Sequence, residues 1–232
     1  MGETVRMALD TKPAAPDDLR SYLVEQLNLV LRRPGMFGDI QVAAWTVIEH
    51  LLFLEQRPEV WDVRRDDPWA EAGFCPLVGV SGAVRPLLPA DHTTGVASVY
   101  AEFAWRQGWL KPDRVLDAEA YASMRSMVGP FARLDRVWAD VREAFGPPSV
   151  LFGGSNPHYG KTLGYVTEDV AEPMIAFHLW NGSDPGPDSA WPPDREQPLL
   201  LAVRCGEGPF ADRFTFTPEG RRRRPDNAWT PC

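Results

Sequence analysis

Lysine is nearly missing from this chain. Of 232 residues only three are lysine, against 21 arginines, and histidine appears four times and cysteine three times. Each scarcity excludes something. Cys75, Cys205 and Cys232 are too few, and of odd number, for a disulfide framework, and their spacing is not that of a metal site. They read as reduced thiols, which points to the cytoplasm. His50, His92, His158 and His178 lie far apart, with no HxxxH pair, so no metal is expected. No run approaches the ~18 apolar residues that a membrane helix needs. The first residues, MGETVRMALDTKPAAPDD, hold no apolar stretch of signal-peptide length. The arginine excess, beside 23 prolines, fits a GC-rich coding bias and is not read as phosphate binding.

What is present is an ordinary globular composition. Hydrophobic residues make up 44%, charged residues 24%, and nine Trp and eleven Phe supply bulky apolar surface. The net charge is −8. Such a balance argues against nucleic acid or an anionic membrane as a partner and suits a free cytoplasmic protein or one that meets a basic partner.

The hydrophobic period changes near Gly146. Before it the pattern is helical. Helices are expected from Asp17 or Asp18 with Leu19, Leu23, Leu27 and Val30 buried, and from Asp39 to Gln56. Further helices are expected from Asp91 or Thr93 to Gln107, over Asp117–Met127, and over Pro130–Phe145. The last carries the clearest stripe, Leu134, Val137, Trp138, Val141 and Phe145, so Trp138 is expected in the core. Residues 57–91 read as an irregular buried segment or one short strand, with a mixed charge cluster at Arg64–Asp67.

After Gly146 the pattern alternates. Strands are expected at Ser149–Phe152, Leu163–Thr167, Met174–Trp180, Leu199–Cys205 and Arg213–Thr217. Short connections favour an antiparallel meander. The expected fold is therefore α+β: about five helices in 17–146 packed on a sheet of about five strands in 147–220. A flexible leader at 1–16, a loop-like insert at 181–198 and a mobile tail at 221–232 complete the expected organisation.

The loop from Gly153 to Thr162, GGSNPHYGKT, gathers reactive side chains between two strands. Gly160-Lys161-Thr162 matches the end of a phosphate loop. The first glycine is misplaced, however, and LGYVTED follows as strand, so the helix dipole that motif uses is absent. A milder expectation is a small anionic ligand held by Asn156, His158, Tyr159 and Lys161. His178 and Arg204 would join from neighbouring strands if these pair in order. Ser81 in GVSGA misses the Gly-x-Ser-x-Gly elbow by one residue.

Leu31 to Gly38, LRRPGMFG, with the helix after it, resembles the turn that opens gyrase-type ATPase domains. That family holds nucleotide with an acidic–Asn helix motif and an Asp-x-Gly-x-Gly turn. The helix here reads AAWTVIEHLLFLEQ and neither motif appears, so no function is carried over. Two functional readings remain. One is an interaction module of the inhibitor, antitoxin or immunity type. The other is a small-molecule protein or enzyme centred on residues 153–162.

Overall fold

The computed structural model describes residues 15–57, 79–89, 93–182 and 195–225. Most of the leader, the charge cluster at 64–67, Cys75, His92, most of the 181–198 insert and residues 226–232 lie outside them.

Helix α1 (Pro16–Arg32) starts on Pro16, with Ala15 rather than an aspartate as its cap. Proline at the first position loses nothing, because that N–H has no helical partner. Asp17 and Asp18 occupy the first turn, where negative charge suits the dipole. The buried stripe is Val24, Leu27, Asn28, Val30 and Leu31, which leaves Leu19 exposed, contrary to expectation. Asn28 rotates the stripe. Its amide donates to Val24 O and Trp109 O, both at 2.8 Å, and its Oδ1 accepts from Lys111 N at 2.7 Å.

After a 3-10 turn at Pro34–Met36 comes α2 (Ile40–Leu54). Asp39 caps it, accepting from Gln41 N at 2.9 Å. The segment expected to be irregular or strand holds a short helix, α3 (Gly79–Val84). Val80, Val84 and Leu88 are buried one turn apart, and Gln41 Oε1 accepts from Ser81 N at 2.9 Å. Helix α4 (Thr93–Arg106) is buried on nearly every side. Gly108, at φ +72, ends that run.

Helix α5 (Ala118–Phe131) extends past Pro130, and α6 (Trp138–Phe145) is only eight residues long. The single helix expected over Pro130–Phe145 is thus broken across 132–137. The competing partner is the sheet: Trp138 N donates to Pro198 O, Leu200 N donates to Arg136 O, and Val137 bridges Leu199. Leu134 is consequently exposed and Trp138 half-buried.

The sheet is a meander of β1 (Val150–Phe152), β2 (Lys161–Tyr165), β3 (Ile175–Trp180), β4 (Leu199–Arg204) and β5 (Phe214–Phe216). Its order is β1-β2-β3-β4-β5 and every pair is antiparallel. The α+β architecture is as expected. Helices cover both faces. Val150, Phe152, Met174, Ala202 and Phe214 pack with α1, α2 and α4, while Leu163, Tyr165, Phe177, Leu179 and Val203 pack with α5 and α6.

A last helix, α7 (Pro218–Arg223), occupies part of the expected mobile tail. Thr217 caps it, and Thr217 Oγ1 donates to Leu200 O at 2.7 Å. A Cβ at Gly220 would lie 1.8 Å from Leu201 O, so only glycine lets α7 approach β4 this closely.

Candidate functional site

Strand β2 begins at Lys161, two residues earlier than the apolar pattern suggests. That start fixes the site, because alternate residues of a strand face opposite ways. Lys161, Leu163 and Tyr165 turn toward α5 and α6. Thr162 and Gly164 turn toward α4.

Lys161 is fully buried. Its Nζ donates to Asn156 O at 2.6 Å and Gly154 O at 3.1 Å, and lies 4.0 Å from the centroid of the Trp138 ring. No carboxylate pairs with it among the described residues. Burial lowers its pKa from 10.5 to about 8. The two carbonyls belong to the β1–β2 connection itself. There Gly153 and Gly154 adopt φ of +105 and +98, and Gly153 N donates to Arg32 O at 3.0 Å. Asn156 Oδ1 accepts from His158 N at 2.9 Å, closing a side-chain turn. Asn181 Nδ2 donates to Pro157 O at 3.3 Å and Arg195 O at 3.1 Å. The connection is therefore braced from beneath by Lys161 and Asn181. His158 is half-buried, and its Nδ1 has no hydrogen-bond partner among the described residues. Tyr159 is exposed.

His178 and Arg204 stand on the other face. His178 pairs with Thr162 across the β2–β3 ladder, and its Nδ1 lies 3.2 Å from Thr162 Oγ1. Thr162 Oγ1 in turn donates to Thr94 Oγ1 on α4 at 3.0 Å. The His178 ring stacks on Phe214 with centroids 5.5 Å apart. Arg204, also buried, is ion-paired with Glu102 on α4 and donates to Ser98 O at 3.2 Å. Glu102 also receives Arg106 Nη2 at 3.0 Å.

Of the six expected site residues, Asn156, His158, Tyr159 and Lys161 come together. His178 and Arg204 are separated from them by the thickness of the sheet. Lys161 aims inward at backbone carbonyls. Chemically the arrangement is a cation locking a loop, with one imidazole nitrogen buried and without a hydrogen-bond partner among the described residues. Among the described residues no group of three or more His, Cys, Asp or Glu is placed to hold a metal ion.

The sequence pattern did not mark the outer surface of the α1–α2 hairpin. Tyr22 and Leu29 are exposed on α1, Val42 and Phe53 on α2, and Met36 in the turn between them. Their signal was present as apolar residues two or three helical turns apart, but that spacing also describes core.

Comparison with protein-family models, with curated proteins and with solved structures gave no match. Among the described residues no helix is long and apolar enough to cross a membrane.

Proposed function

We propose that this chain is a protein-interaction module that binds a basic protein partner through the outer face of the α1–α2 hairpin. The observation that carries the reading is exposure: Phe53 is 85% and Met36 75% accessible, and Tyr22, Leu29 and Val42 on the same two helices are also exposed. Tyr22 and Leu29 are two helical turns apart and Val42 and Phe53 three, so each pair shares one side of its helix. Arg20 Nε, 2.8 Å from Glu55 Oε1, ties the start of α1 to the end of α2. The exposed charges on and around these helices are mainly acidic, Asp17, Asp18, Glu25 and Asp39, against Arg33. Aromatic and apolar anchors within an acidic rim suit a partner with arginine and lysine around an apolar patch. An inhibitor, antitoxin or immunity-type role in the cytoplasm fits a compact chain of net charge −8.

The test places a photo-crosslinking amino acid at position 53, identifies what it captures in native cells, and measures kinetics with the purified partner. The expected partner is a basic protein. Its on-rate should fall about tenfold as salt rises from low to high ionic strength. Phe53→Asp should weaken binding about tenfold or more without changing the melting temperature. Capture of a second copy of this chain, an acidic partner, or binding indifferent to Phe53→Asp would sink the reading.

A second reading keeps a small anionic ligand at the β1–β2 loop, with Asn156, His158 and Tyr159 as its outer contacts. It draws on the exposed Asn156 and Tyr159 on either side of the half-buried His158. A thermal-shift screen against carboxylates and phosphates should give hits that His158→Ala loses, and hits kept by that variant would end it.

A further inference from the structure

A chain of net charge −8 gathers positive charge at one place. α7 carries Arg221, Arg222 and Arg223, Arg224 follows, and Arg195 reaches the same cluster from ahead of β4. The cluster is mounted on the fold, through the Thr217 cap and the packing of Gly220 on Leu201. Two of its side chains lie on aromatic rings. Arg223 Cζ is 4.2 Å from the centroid of Trp180, and Arg224 Cζ is 5.3 Å from that of Phe216. Such contacts hold the planar guanidinium forks in place.

The internal carboxylates do not exhaust these donors. Glu219 is paired with Arg222 and Arg223 and lies 4.0 Å from Arg195 Nη2, and Asp135 Oδ2 lies 3.3 Å from Arg222 Nη2. Hydrogen bonds from Arg222, then Arg223, hold the Glu219 carboxyl below its usual range. Among the described residues these two carboxylates pair with three of the five arginines, Arg195, Arg222 and Arg223. A guanidinium has five N–H donors. The Arg221 guanidinium donates to no group among the described residues, and that of Arg222 uses only Nε and Nη2. Arg195, Arg221, Arg222 and Arg224 are exposed.

We propose that this arginine cluster binds a carboxylate-rich segment of a protein partner. Glu219 shows the mode, with one carboxylate drawing several guanidinium groups at once. α7 is six residues, about 9 Å long. Alternate side chains of an extended peptide project about 7 Å apart on one side, so two acidic side chains span the helix. Bidentate arginine forks match carboxylate geometry. A nucleic acid is the weaker fit, because the −8 of the whole molecule repels a long polyanion beyond so small a patch. This site does not depend on the hairpin face.

The experiment uses the full chain and two fluorescent probes of equal charge, a ten-residue alternating Glu-Ser peptide and a single-stranded DNA oligonucleotide. The peptide should bind at low salt and weaken about tenfold at moderate salt. Arg221→Glu should weaken it several-fold with the melting temperature intact, because that side chain makes no hydrogen bond or ion pair among the described residues. Arg221→Glu/Arg222→Glu should abolish binding, while Arg33→Glu, outside the cluster, should leave it unchanged. Oligonucleotide binding tenfold tighter than peptide binding would overturn the proposal. So would equal losses from Arg33→Glu and Arg221→Glu, or no peptide binding by the parent.

Discussion

A buried ammonium with no carboxylate beside it is the most informative single group in this molecule. Lys161 holds its proton less firmly than a solvated lysine, with a pKa of about 8 instead of 10.5. Between those values the unfolded chain carries a proton that the folded chain has released. Stability should therefore rise with pH from about 8 upward and be flat in this respect below it. Tyr121 and Tyr165, raised above 10 by burial, act in the opposite sense at higher pH. The difference between parent and Lys161→Met isolates the lysine. Denaturant midpoints taken from pH 7 to 10 should climb in the parent relative to the variant, and parallel profiles would show that Lys161 is hydrated. Trp138 belongs to the same argument. It is a half-buried cover on the ammonium, so Trp138→Ala should let water in and return the Lys161 pKa toward 10.5, read from the shift of its side-chain carbons in NMR.

At the scale of elements, periodicity was legible and partnership was not. Asp39 before α2, Gly108 after α4 and the alternation of β3, β4 and β5 are local signals, and the structure follows them. The misplacements have tertiary causes. Lys161 begins a strand because its polar end reaches the carbonyls of its own loop, which no hydropathy pattern records. Residues 132–137 leave the helix because β4 offers hydrogen bonds. Arg221 to Arg223 look like a solvated run, yet Thr217 and Gly220 fix them as α7. The candidate site was half legible for the same reason. The loop residues are neighbours in the chain, whereas the face His178 shares depends on a register that pairs it with Thr162 and not with Lys161. Thr217→Ala removes both the cap of α7 and a hydrogen bond to Leu200 O. It should cost about 1–2 kcal/mol and speed amide exchange at Gly220 before the rest of the sheet.

At the scale of the fold, the sheet is an inner layer joined to α4 by the buried Arg204–Glu102 ion pair and the Thr162–Thr94 hydrogen bond. Arg204→Met alone strands a carboxylate that retains only Arg106. It should destabilise by about 3–5 kcal/mol, whereas Arg204→Met/Glu102→Leu should recover much of that loss. Equal losses in the single and double variants would place the cost in packing and not in charge.

That pair also sets a condition on biosynthesis. Its members stand 102 residues apart in the chain. A ribosome adding about 5–20 residues per second takes roughly 5–20 s to travel between them. During that interval α5, α6 and β1–β3 are added in turn, and Glu102 on α4 waits for the strand that carries its partner. Nascent chains stalled before β4 should accordingly bind holding chaperones and resist release until Arg204 emerges. The time for which Glu102 lacks its partner is thus set by elongation speed rather than by folding rate.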